Sequence, residues 1–330
     1  MMACALAIAA IGISGCKSGD QKGTEAMKLT RPVPVAPGYP EPRVEAPDRL
    51  LREKAIAQIQ ASCGSRSAFS RAHAIEAAKN LPPDLMRDVV IVAVQQRATV
   101  VRFAALMTAG EMRVADITQY ALKLVDDPDK SVQAGAIFAL HRLGDKRFSH
   151  RLEVLSVDSD RQIRANTSML LGILEEPSAA RILRHQMRDS DPVVRLQAAE
   201  GLWRLHDQDA LTDLVSSTIS RYPDDQMIAA LALAAPRDPR VVEHLRGMLT
   251  TPYPEVNLVA ARAIGQLGLD EGYGVAMKAM TSDDPRQRQL AALALGAIGR
   301  IDSQQALGKL LLDTYEDVRL AASSALLQLR

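Results

Sequence analysis

From residue 71 to the end of the chain, small and apolar side chains return at fixed places in a register that does not slip. Taking Arg195 as a reference and stepping 31 residues in either direction reaches Arg71, Arg102, Gln133, Arg164, Gln226, Asn257, Arg288 and Arg319. The third residue after the reference is Ala74, Ala105, Ala136, Thr167, Ala198, Ala229, Ala260, Ala291 or Ala322. The seventh is Ala78, Ala109, Leu140, Leu171, Leu202, Leu233, Ile264, Leu295 or Leu326. The tenth is Leu or Ile in most copies. Apolar positions spaced in this way form one face of a helix, and a fixed period of this length predicts stacked repeats that share a continuous core. Between the copies lie turn signals such as Asp127-Pro128-Asp129, Tyr222-Pro223-Asp224 and Asp283-Asp284-Pro285, each leaving room for a second, shorter helix.

Several short motifs sharpen this picture. Asp191-Pro192-Val193-Val194-Arg195 and Asp284-Pro285, with Leu143-Gly144, Leu267-Gly268 and Ile298-Gly299, resemble the short HEAT-like repeats of the phycobilisome-lyase type, over about residues 48 to 330. The resemblance implies an all-α, right-handed α-solenoid (superhelix) of about nine 31-residue helix-turn-helix repeats. With helix axes about 8–10 Å apart, the expected shape is an arc of roughly 80–90 Å. The copy at Gln226 is irregular, with Asp225 before the reference and Pro236 at an apolar position. A proline there should end the helix early, and a bend of the superhelix is expected between residues 222 and 240. The chain stops at Leu329-Arg330 without a polar capping helix, so possible self-association through the C-terminal repeat is a further expectation.

The second helix of each pair has a face opposite the Ala/Leu stripe, and that face carries large apolar residues. Phe103, Met107, Phe138, Met169, Leu196 and Trp203, flanked by His141 and Arg204, predict an apolar concave groove that binds a protein or peptide partner. Superhelical curvature that buries the same side chains is the alternative. The reference arginines Arg71, Arg102, Arg164, Arg195, Arg288 and Arg319 predict a structural ladder, bonded to turn carbonyls and to carboxylates of their own and the next repeat. Phosphate binding is the weaker reading of them.

The N-terminus departs from the repeat pattern. Residues 3 to 13 are an uncharged apolar run, too short to span a bilayer and suited to a signal-peptide core. Ile13-Ser14-Gly15-Cys16 resembles a lipobox, which implies a signal peptide over residues 1–15 and lipidation of Cys16. Residues 16–47, rich in Lys, Gly and then Pro, read as a disordered tether able to reach about 90 Å. The folded solenoid is expected over 48–330, with Asp48 as its first helix cap. These features point to a lipid-anchored protein of the cell envelope, facing periplasm or exterior, with Lys17 favouring an outer membrane where the host has one.

Composition removes several classes of function. A net charge of +1 lacks the basic stripe of a nucleic-acid binder. His73, His141, His150, His185, His206 and His244 have no Cys partners and no His-x-x-x-His spacing, so no metal, cofactor or catalytic residue is assigned. Cys63 on the first helix reads as an inert thiol. The expected function is a non-catalytic protein-interaction scaffold; a bilin-lyase-like or other HEAT-repeat enzyme or regulatory subunit is the alternative, and a DNA-binding HEAT protein a weaker one.

Overall fold

A computed structural model describes residues 48–330, and Cys16 with the signal and tether segments lies outside that range. Among the described residues there are eighteen α-helices and no strand. The first helices of the nine pairs are α1 (Arg49–Ser62), α3 (Pro83–Ala93), α5 (Thr118–Leu124), α7 (His150–Leu155), α9 (Ala180–Gln186), α11 (Gln208–Ser217), α13 (Val242–Gly247), α15 (Tyr273–Ala279) and α17 (Gln304–Leu310). The second helices are α2 (Ala68–Ala77), α4 (Thr99–Met112), α6 (Lys130–Arg142), α8 (Arg161–Leu174), α10 (Pro192–Arg204), α12 (Pro223–Ala234), α14 (Pro254–Gln266), α16 (Pro285–Ile298) and α18 (Glu316–Gln328).

Local chemistry sets the ends of these helices. Asp129, Asp160, Asp191 and Asp284 occupy the N-cap of α6, α8, α10 and α16, where each side chain accepts from backbone N–H groups of the first turn. Asp48 caps α1 in the same manner. Pro stands at the first position of α3, α10, α12, α14 and α16, where its missing N–H costs nothing. Beyond the other end, Arg113, Gly144, Glu175, His206, Arg237, Gly268 and Gly299 all have positive φ. They occupy one repeat position, eleven residues after the reference, so a left-handed residue stops the second helix in seven successive copies.

The second helices form the inner layer and stack each on the next. They are apolar nearly all round: every residue of α12 from Gln226 to Ala234 is buried. Close approach is possible because small residues meet. A Cβ built on Gly172 would lie 2.6 Å from the Gly201 backbone, so α8 and α10 touch main chain to main chain at that point. Pro236 lies just past the end of α12 at Ala234, and α12 still packs on both α10 and α14, so the stack runs through the irregular copy.

The array closes on itself instead of ending as an open arc. Helix α18 packs extensively against α1 and also against α2. Polar contacts seal the seam: Asp48 N–H donates to Gln304 Oε1 at 2.9 Å, Ser65 Oγ to Glu316 Oε2 at 2.8 Å, and Asn80 Nδ2 to Ser324 Oγ at 2.9 Å. Leu51 of α1 sits against Gly308 of α17. The last repeat is therefore covered by the first, and its inner helix offers no open apolar face for self-association.

Candidate functional site

The side chains expected to line an apolar groove lie sideways between neighbouring inner helices. Phe103, Met107, Phe138, Met169, Leu196 and Trp203 are all buried, Phe138 and Trp203 completely. Phe103 of α4 rests over Gly135 of α6, and Phe138 of α6 rests over Gly110 of α4, an interlock that leaves no room for a Cβ at Gly110 and only a tight fit at Gly135. The Trp203 indole N–H donates to the Leu233 carbonyl of the next copy at 3.1 Å, and the Arg240 guanidinium lies over its ring. Tight curvature of the closed array turns an apparent binding strip into core. The two polar neighbours are likewise engaged. His141 bonds Ser149 Oγ at 2.8 Å and Glu176 Oε1 at 2.9 Å, and Arg204 grips Glu200 Oε1 at 2.8 Å.

The reference arginines bond along the turns. Arg164 Nη1 donates to the carbonyls of Asp158 and Ser159, while Nε and Nη2 hold Asp189 of the following repeat at 2.7 and 2.9 Å. Arg288 repeats this with Ser282, Asp283 and Asp313. Arg102 bonds Gln96, Arg97 and Asp127, and Arg71 bonds Ser65, Arg66 and Gln96. Arg195 and Arg319 make the two carbonyl bonds alone. The carboxylates that receive these arginines are Asp127, Asp189 and Asp313; Asp129, Asp160, Asp191 and Asp284 cap helices instead. Arg164 and Arg288 hold Asp189 and Asp313 below the usual carboxylate range, chiefly by side-chain hydrogen bonds.

A cavity of about 1080 Å³ lies inside the array, walled by α2, α12, α14, α16 and α18. Met227, Leu290, Leu293 and Leu320 supply apolar wall, and His73, Glu76, Lys79, Asn80 and Arg262 supply polar groups. Lys79 is paired with Glu111 of α4, both nearly buried, and His73 Nδ1 lies 3.7 Å from Asp317 Oδ1. Glu76 keeps some surface on the cavity but is packed round by protein, and burial raises its carboxyl to about 7. Burial pushes the Arg262 guanidinium down to about 10, and its Nη1 has no hydrogen-bond partner. These charges went unread in the sequence, although the signal is present. The fifth position after the reference is apolar as Met107, Phe138, Met169, Leu231 and Leu293, against Glu76, Glu200 and Arg262.

A second surface lies on the edge where first helices turn into second helices. Val157, Ile219 and Leu312 stand seven residues before the reference, and Tyr222, Tyr253 and Tyr315 four before it. All six are exposed, Ile219 and Leu312 by more than four-fifths. Cys63 is half-buried, and burial raises its thiol to about 11, so it is protonated and unreactive at neutral pH. Among the described residues no group of His, Cys, Asp or Glu could hold a metal ion, and no helix is long and apolar enough to cross a membrane.

Paired helices stacked in one layer upon another define a helical-repeat α-solenoid. The sequence profile of HEAT repeats matches residues 117–203, 148–234, 183–256 and 248–327, more than half of the chain, and the chain belongs to the HEAT-repeat proteins. No curated protein matches it. Among solved structures it is similar to the complex of CpcE and CpcF of phycocyanin lyase from Nostoc sp. PCC7120, at 16% identity and a TM-score of 0.45, covering 78% of this chain and 98% of that one. Human deoxyhypusine hydroxylase in complex with glycerol is similar at 18% identity and a TM-score of 0.41, covering 84% and 96%. Kap121p bound to Nup53p is similar at 12% identity and a TM-score of 0.37, covering 82% of this chain and 37% of that one.

Proposed function

We propose that this HEAT-repeat protein is a non-catalytic scaffold of the bacterial cell envelope, held at a membrane by an acyl group on Cys16 and binding a protein partner. The observation that carries the partner reading is the turn-side edge. Six large apolar side chains are exposed at two repeat positions, so they fall on one side of the molecule. Exposed apolar residues that return along one rim give a partner several contacts at once, which a single scattered residue does not. The anchor reading rests on the lipobox-like Ile13-Ser14-Gly15-Cys16 and the Pro-rich stretch that follows.

Two experiments test the parts separately. Capture from envelope extracts is compared between wild type and an Ile219→Glu, Leu312→Glu variant, both positions being exposed enough to leave the fold intact. Loss of specific partners is expected; an unchanged partner set sinks the edge as the binding surface. For the anchor, Cys16→Ser should move the protein from the membrane to the soluble fraction and abolish metabolic labelling with a palmitate analogue. Retention in the membrane with labelling intact refutes it.

A further inference from the structure

Arg262 is the buried charge on the inner wall that the fold leaves unanswered. It projects from α14, five residues after the reference, is 8% exposed, and lines the cavity. Other buried cations there are held: Lys79 by Glu111 and Arg204 by Glu200. Arg262 makes no hydrogen bond or ion pair with any described residue, and its Nη1 is fully covered. Glu76 is the acid in its electrostatic reach, but it stands beyond bonding distance and burial favours its neutral form. Taking a guanidinium out of water without a partner costs several kcal/mol, and an anion arriving from solution would recover much of that.

The remaining wall narrows the chemistry. Met227, Leu290, Leu293 and Leu320 line the same cavity with apolar surface, and among its charged lining residues the cations Arg52, Arg237 and Arg286 stand with Arg262 against the acids Glu76 and Asp317, the latter facing His73. Apolar walls with a few convergent polar groups are typical of small-molecule sites, whose volumes run to about 1,000 Å³. We propose that the cavity binds an amphipathic anion, a carboxylate or similar single-headed acid on an aliphatic body, with the head group on Arg262 and the body against these four side chains. Only Tyr315 belongs to both the cavity rim and the turn-side edge; Ile219 and Leu312, which test the edge, do not line the cavity, so either reading can fail without the other.

The test uses the full chain carrying Cys16→Ser, so that no covalent lipid competes, and dodecanoate below its micellar concentration as the probe. Calorimetry should give saturable binding near one per chain, weakened about tenfold or more by Arg262→Leu and partly kept by Arg262→Lys. Leu293→Trp, which fills the cavity from a half-buried position on the next inner helix while leaving the Arg262 charge in place, should also abolish binding. This second variant decides the matter if Arg262→Leu proves unstable. No saturable binding to the wild type, or equal binding by folded Arg262→Leu, overturns the proposal. Equal affinity for dodecyltrimethylammonium removes the role of charge, and equal affinity for inorganic phosphate removes that of the aliphatic body; either result overturns it as well.

Discussion

The arginine ladder separates two contributions that a sequence comparison of the copies would merge. Arg164 and Arg195 make the same pair of bonds to their own turn, but only Arg164 reaches a carboxylate in the next repeat. A charge-assisted bidentate pair in a mostly buried place is worth about 1.5–3 kcal/mol. Arg164→Ala should therefore destabilise by about 1.5 kcal/mol or more beyond Arg195→Ala in urea unfolding. Equal losses assign the whole effect to the carbonyl bonds. Asp189 is depressed in the folded state, so its contribution is present above the unfolded carboxylate range and lost as pH falls through the folded value. Glu76 has the opposite sign. Its folded value is raised from 4.5 to about 7, so stability declines as pH rises through that window, by on the order of 3 kcal/mol at most. Glu76→Gln should flatten the stability curve between pH 5 and 7 and gain relative to wild type at pH 8; an unchanged slope means that Glu76 is hydrated when folded. At this scale the arginine positions were visible because they recur. The cavity charges were not, because each interrupts the pattern once. The aromatic residues were visible but misplaced, since sequence displays Gly110 and Gly135 without revealing that Phe138 and Phe103 cover them.

At the scale of the helix, the repeat position eleven after the reference decides where each inner helix stops. Three copies use glycine, which enters the left-handed region freely, and four place Arg113, Glu175, His206 or Arg237 there at φ of 54° to 64°. The non-glycine copies carry strain of about 1–2 kcal/mol each, partly offset by the smaller backbone entropy they lose on folding. Arg113 is exposed and its side chain makes no bond, so Arg113→Gly should stabilise by up to about 1 kcal/mol, seen as a higher urea midpoint. A loss of stability would mean that the side chain contributes where no contact is visible. The glycine copies were legible from Leu143-Gly144, Leu267-Gly268 and Ile298-Gly299, whereas the four others hide a common backbone under unrelated side chains. The ends at Asp and Pro were equally legible, because capping depends on one residue and its immediate neighbours.

Closure belongs to the whole molecule, and the repeat pattern does not encode it locally. A 31-residue period fixes how one pair meets the next, while meeting at the ends depends on small rotations summed over nine copies. The arc expected from the pattern and the ring observed differ by that sum alone. Without α1, helix α18 loses a helix that it packs against extensively. Deleting residues 48–65 should therefore lower the unfolding midpoint and promote association in sedimentation velocity; a well-behaved species of unchanged stability would show that the seam contributes little.

A closed seam also restricts how such a gene can change. In an open array an extra unit can be duplicated into the middle, because the new copy finds the same neighbours and the ends simply move apart. Here the contacts of Asp48 with Gln304 and of Asn80 with Ser324 require the ends to meet. An inserted or lost unit of 31 residues would be locally perfect and globally misfitted, so the number of copies is held by selection on the seam rather than on any single repeat.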